Sequence, residues 1–390
     1  MPKLSDILIR WGKVILSGPY GTEIAERVAL DIVERPQRAS GVSNNKYIGA
    51  GCSALLNEDG WPYVKDVALD NLKSVPEDQA VILVTNSFRL AKQNLESAAS
   101  VRDANPQLPA MGLELCLDSI RLAEEAIYIS ERSRDNTLLA MSVGTPFDCY
   151  KGEDTPDDIE NKYLPQTFAA VRFGHPLDYL MFETVPSLKA AIGAARAFKQ
   201  AHEELSVKES LASFKNSGTI VYMGNILSFA ERIGGNASHD LVPSYDPKTK
   251  TFQEIEPEKE YVISFCLEED GTLNGIPLRE AMSTLYDTIE NEGLYVPVGA
   301  GINCNSPEVT GKALSQLYAE ELTRVIGIHP NASSENNPRQ YAHMTKQQAI
   351  PTSEFVTQVT QLSAIYGLTI VGGCCGTNHT TMEKMSQMLL

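Results

Sequence analysis

Short apolar runs rich in β-branched residues recur down the chain, each followed by a polar or glycine-rich break and then a stretch of helical character. In order they are Val14–Ser17, Ala80–Thr85, Leu138–Val143, Tyr179–Phe182, Tyr261–Phe265, Tyr295–Val298, Arg324–Ile328 and Leu368–Val371. Between them, segments such as Leu113–Arg132 and Ser187–Lys199 space their apolar residues as amphipathic helices do. Strand and helix alternate, the order expected of a parallel sheet. Eight such units predict a closed (β/α)8 TIM barrel of the α/β class rather than an open sheet. Two segments break the alternation. Asp31–Pro76 is long for one strand-to-helix connection and predicts extra helix. Residues 202–260 hold an apolar run at Thr219–Leu227 and a turn-rich stretch at Pro243–Lys250, and are read as an insertion between the fourth and fifth strands of a single domain spanning 1–390. The alternative is that Thr219–Leu227 is itself a barrel strand and the count shifts by one.

Composition narrows the partners. Across 390 residues, 43% are hydrophobic and 21% charged, which fits a folded globular chain and not a disordered or collagen-like one. Asp and Glu number 50 against 33 Lys and Arg, so the formal charge of −17 repels phosphate backbones and anionic lipid heads; nucleic-acid and membrane partners are not expected. Nowhere is there an uninterrupted apolar window of about 18 residues. Asp6, Arg10 and Lys13 break any signal-peptide core in MPKLSDILIRWGK, so a cytoplasmic protein is expected. Seven cysteines without an export signal then read as reduced thiols or metal-binding thiolates rather than disulfides.

Candidate chemistry concentrates in two places. Val371-Gly372-Gly373-Cys374-Cys375-Gly376-Thr377 follows the last apolar run directly. Adjacent residues on a regular strand point to opposite faces, so two neighbouring cysteines there do not converge on one ion. The flanking glycines let the chain leave the strand and turn both sulfurs inward. Gly299-Ala300-Gly301-Ile302-Asn303-Cys304 sits likewise past the sixth run. In a barrel both ends open on the C-terminal face, where barrel enzymes keep their active sites. Cys304, Cys374 and Cys375 are therefore read as a three-sulfur site suited to Zn2+, with one tetrahedral position left for a water or a substrate. Most free cysteines are small buried hydrophobes, and Cys52, Cys116, Cys149 and Cys266 are read in that plain way.

On these residues the chain resembles the zinc-dependent homocysteine S-methyltransferases, which include S-methylmethionine- and betaine-dependent enzymes and the homocysteine module of methionine synthase. The resemblance covers most of the chain. It runs through Ser17-Gly18-Pro19-Tyr20-Gly21-Thr22-Glu23, Thr85-Asn86-Ser87-Phe88, Phe182-Glu183-Thr184-Val185-Pro186, Asp270-Gly271-Thr272-Leu273, Gly301-Ile302-Asn303-Cys304, His329-Pro330-Asn331 and Gly372-Gly373-Cys374-Cys375-Gly376. It implies a barrel whose three cysteines bind zinc, with the homocysteine sulfur as fourth ligand. Glu183 matches the family's acidic residue that holds the amino group of homocysteine. Asn303 is expected to steady the metal site or to meet the substrate carboxylate, and with Glu183 completes the catalytic set. Ser17, Gly18, Tyr20, Thr85, Asn86 and Asn331 complete the expected substrate contacts, while His329 is either a mouth residue or, the favoured reading, a plain loop histidine.

Departures from the family pattern bear on the substrate. Ser17-Gly18 stands where the family usually has Asp-Gly, which removes a carboxylate from the substrate end and leaves another small thiol or a selenol open as acceptor. Thr184 follows Glu183 where an aromatic residue would help cage a quaternary ammonium. Betaine is thereby disfavoured, and a sulfonium donor, S-methylmethionine or S-adenosylmethionine, is expected to methylate homocysteine to methionine. Partners are then a small-molecule thiol and a methyl donor, with room for a homo-oligomer. Two rivals remain: a zinc hydrolase, poorly served because the six histidines form no His-x-His or His-Glu-x-x-His, and a catalytically decayed, zinc-stapled barrel used as a binding module.

Overall fold

The apolar runs become strands, and the strands close on themselves. The computed structural model describes residues 4–34, 54–56, 59–99, 111–148, 150–173, 177–203, 245–246, 251–252, 259–332 and 350–389. Its barrel strands are β1 (Val14–Leu16), β2 (Ala80–Val84), β3 (Thr137–Gly144), β4 (Tyr179–Val185), β5 (Glu260–Phe265), β6 (Gly299–Asn303), β7 (Val325–His329) and β8 (Ile370–Val371). Each pairs in parallel with its neighbours in chain order, and β8 returns to β1. The protein is a (β/α)8 barrel. The ring is complete without residues 219–227, which lie outside the described residues, as does most of the segment between β4 and β5 beyond the short pairing of Tyr245–Asp246 with Thr251–Phe252. Helix Trp61–Lys73 lies in Asp31–Pro76, where extra helix was expected, and Tyr20–Glu34 precedes it. Among the described residues no helix is long and apolar enough to cross a membrane.

Strand alternation sorts the core into two layers. Ala80, Ile82 and Val84 join the cluster inside the barrel, whereas Val81 and Leu83 join the larger cluster between strands and helices. Because β strands keep period two, the inward set Leu138 and Ala140 continues at Ser142, and Tyr179 and Met181 continue at Glu183. An apolar floor thus gives way to polar side chains at the C-terminal mouth. The floor itself is helped by helix Leu4–Trp11, whose Leu4 and Ile7 pack with the interior residues while Ser5 Oγ donates to Glu260 Oε1 at 2.8 Å at the start of β5.

The sixth strand corrects the sequence reading. Tyr295–Val298 was expected to form it, with the glycine-rich segment at its end; instead Gly299–Asn303 is the strand. Glycine is a poor strand former by propensity, but here space decides. A β-carbon on Gly299 would lie 2.6 Å from Ile326 Cγ2, and one on Gly301 3.0 Å from Ser264 Oγ. The neighbouring strands come too close for side chains, which no local pattern reveals. Gly327 in β7 is confined by backbone as well, since its β-carbon would meet Ile370 Cβ at 2.7 Å and Ile370 O at 2.9 Å. Gly327→Ala is therefore expected to overpack the β7–β8 seam and lower stability by about 1–3 kcal/mol, read from the shift in a urea unfolding midpoint.

Candidate metal centre

Three loops at the mouth bring the cysteines together. Cys304 follows β6, Cys374 and Cys375 follow β8, and the segment after β7 lies between them. The three sulfurs all lie within 4.8 Å of one another, with Cys304 Sγ 3.0 Å from Cys374 Sγ. A disulfide would need about 2.05 Å. Metal–sulfur bonds of about 2.3 Å in a tetrahedron set ligand sulfurs roughly 3.8 Å apart, within the span these side chains cover. Cys304 is 5% exposed, and Cys374 and Cys375 are partly exposed, so the site is closed behind and open in front. The donor set fits a thiophilic ion such as zinc. Cys116 and Cys266 are buried, as read; Cys52 and Cys149 lie outside the described residues.

Backbone geometry turns the sulfurs inward. Gly376 has φ +80°, which glycine adopts freely, but Cys304 has φ +58° and Thr184, at the end of β4, φ +56°. Non-glycine residues rarely adopt these values, and each costs on the order of 1–3 kcal/mol unless its surroundings hold it. Asn303 does much of that holding. Its Oδ1 accepts from Thr184 N at 3.0 Å, and its Nδ2 donates to Thr184 Oγ1 at 2.8 Å and reaches Cys304 Sγ at 3.5 Å. Of the two roles expected for Asn303, its contacts supply the first, steadying the cysteine.

The segment after β7 ties the two cysteine loops to each other. Cys304 N donates to His329 O at 3.3 Å, Cys374 N to Pro330 O at 2.7 Å, and Ala332 N to Cys375 O at 2.9 Å. Asn331 closes the bridge, its Nδ2 donating to Cys304 O at 2.8 Å and its Oδ1 accepting from Cys375 N at 3.1 Å. Asn331 is fully buried. It braces the cysteine loops.

Charge follows the sulfur contacts. Hydrogen bonds from Cys304 and then Cys374, with the positive charge of Arg89 nearby, pull the Cys375 thiol well down. Hydrogen bonding to Cys374 and Cys375 together with burial pushes Cys304 up. For Cys374 the bond from Cys304 lowers the thiol, but the bond to Cys375, burial, and the charges of Cys375 and Glu183 outweigh it and raise it.

Glu183 faces the same opening. Ser142 Oγ donates to its Oε2, and His329 Nε2 lies 3.3 Å from its Oε1. Ser142 N in turn donates to Thr85 Oγ1 at 3.2 Å, which also bonds Ser87 Oγ at 2.7 Å. Ser142 is the residue that the sequence reading passed over, and Thr184 was weighed there only for the donor. His329 is no loop histidine: it ends β7, is 6% exposed, and its Nε2 makes no aligned hydrogen bond among the described residues. The signal available was the period-two count from each apolar run to its last residue.

The remaining expected contacts are placed less centrally. Ser17 is buried, and its Oγ accepts from Val84 N at 3.0 Å, tying β1 to β2. Gly18 lies against Asn71 and Asn378, Asn86 is 6% exposed, and Tyr20 packs in the outer core. Burial, then the charge of Glu23, pushes the Tyr20 phenol far up, and its hydroxyl has no partner among the described residues.

Comparison with known proteins agrees with the barrel fold. The chain is similar in structure to the homocysteine methyltransferase MmuM from Escherichia coli: its metallated form matches at TM-score 0.56 and 16% identity over 98% of both chains. The oxidized form matches at TM-score 0.56 and 18% identity, covering 98% of this chain and 97% of that one. At such identity the likeness speaks for the fold. No curated protein sequence matches the chain significantly. The profile of the homocysteine S-methyltransferases, however, matches residues 14–233 and 242–389, nearly the whole length and both cysteine loops. The chain belongs to the homocysteine S-methyltransferase family.

Proposed function

We propose that this methyltransferase is zinc-dependent and moves a methyl group from a sulfonium donor, S-methylmethionine or S-adenosylmethionine, to the thiol of homocysteine, giving methionine. The convergence of Cys304, Cys374 and Cys375 at the barrel mouth beside Glu183, in a chain of this family, carries the reading. The three cysteines would hold the ion. When bound, zinc supplies a Lewis acid that favours the deprotonated form of a thiol at the position three ligands leave open, so no protein base is required near neutral pH.

The chain's own side chains do the rest. Glu183 offers a carboxylate to the protonated amine of the acceptor, and Ser142 fixes its orientation by bonding one oxygen. Asn303 and Asn331 keep the Cys304 and Cys375 loops in place. Apolar layers beneath the mouth, from Val84 through Met181 and Val262, keep water from below the reacting atoms. Displacement at a sulfonium carbon then depends above all on alignment. Ser17, with its hydroxyl accepting from Val84 N, serves here as a neutral neighbour where the family usually has a carboxylate. The donor reading rests on Thr184: a small hydroxyl beside Glu183 offers a quaternary ammonium no aromatic face. We read residues 1–390 as one domain, with 202–260 an insertion; the family profile skips residues 234–241 within it.

Three measurements test this function. Purified protein is expected to carry about one zinc per chain, and Cys375→Ser is expected to lose both metal and activity; a fully active metal-free preparation overturns the zinc reading. Glu183→Gln, which keeps the shape and removes the charge, is expected to raise KM for homocysteine about 10–100-fold, the loss of one charge-assisted hydrogen bond, with zinc content unchanged. Assayed with homocysteine, the enzyme is expected to use S-methylmethionine or S-adenosylmethionine and to ignore betaine; silence with all three moves the acceptor to another small thiol or a selenol.

A further inference from the structure

Thr184 has no place in the function as proposed beyond its size, yet its hydroxyl is aimed at a metal-binding sulfur. Thr184 Oγ1 accepts a hydrogen bond from Asn303 Nδ2 at 2.8 Å. The threonine's own hydrogen is therefore free to donate, and Cys304 Sγ lies 3.6 Å away. Asn303 Nδ2 approaches the same sulfur at 3.5 Å. Neither contact requires Thr184 to be threonine for folding alone: its backbone N–H already meets Asn303 Oδ1, and its β-branched side chain disfavours the φ of +56° that it adopts. A strained position that retains a hydroxyl, 1% exposed and turned to sulfur, points to a role at the sulfur.

We infer that Thr184 is a positioning residue that donates a hydrogen bond to the Cys304 thiolate, fixing its orientation and withdrawing charge from it, so that Cys304 is the weakest electron donor of the three cysteines. This rests on the zinc reading above. Three thiolates carry more negative charge than a divalent cation neutralises. A donor on one of them reduces the charge it passes on and leaves the open position better able to stabilise an incoming thiolate; partners of metal ligands commonly tune a site in this way. Because Thr184 follows Glu183 directly, the same hydroxyl also links the strand end that would hold the acceptor's amine to the loop that would hold the metal.

The test uses Co2+ in place of the native ion, because sulfur-to-cobalt charge-transfer absorption reports how strongly the thiolates donate. Thr184→Val, nearly isosteric but without the hydroxyl, is expected to move that band to longer wavelength, because Cys304 donates more strongly, and to weaken metal affinity about 10–100-fold in competition with a chelator, because the sulfur loses the contact that orients it. Thr184→Ser is expected to restore both. Thr184→Gly removes the hydroxyl and relieves the backbone strain, so it reports on the same bond should the valine variant fold poorly. A wild-type band with valine and glycine variants that match it in wavelength and affinity overturns the role of Thr184 alone. Absence of any thiolate band in the wild-type protein overturns the metal reading and this inference together.

Discussion

The peptide groups around all three cysteines hang on one short run of chain, residues 329–332 at the end of β7. Its carbonyls at His329 and Pro330 accept from Cys304 N and Cys374 N, its amide at Ala332 donates to Cys375 O, and the Asn331 side chain spans the two loops. Cysteines 70 residues apart are thereby held as near neighbours. Three thiols gathered this closely repel one another once charged, so they stay together only because the backbone leaves them no room to separate. Everything else at the mouth is arranged around that enforced crowding.

Backbone strain adds to the cost of this crowding. Thr184 and Cys304 both occupy left-handed backbone conformations, and the Asn303 side chain fastens one to the other. Asn303 ends β6, Glu183 and Thr184 lie near the end of β4, and β5 separates the two strands in the ring. A rigid barrel supplies the stability that such strain consumes, which is why it is tolerated here and not on a free loop. The polar chain from Thr85 through Ser142 to Glu183 and His329 forms the other half of the mouth, above a cluster of apolar side chains inside the barrel.

Legibility in the sequence followed the range of the physical signal. Seven of the eight strands lay at or within a few residues of their apolar runs, because burial on both faces writes a continuous hydrophobic segment. The sixth was misplaced, since its glycines answer to Ile326 and Ser264 on the neighbouring strands and not to their own neighbours in sequence. The sulfur trio was legible because paired cysteines between glycines are a poor choice for mere packing. Asn331, singled out for the substrate, braces the cysteine loops, and His329, for which a loop position was favoured over one at the mouth, lies beside Glu183.

The amino-acid sequence by itself determined the barrel, the three cysteines that gather at its mouth and the membership of the family, because these depend on local periodicity and on residue types that chemistry restricts. Only the tertiary structure decided which polar side chains face the opening and which are spent on holding the loops. That division rests on hydrogen bonds between residues such as Thr184 and Asn303, or Ser142 and Glu183, whose separation along the chain carries no pattern. Such bonds exist only once the ring has closed and brought the strand ends to one rim.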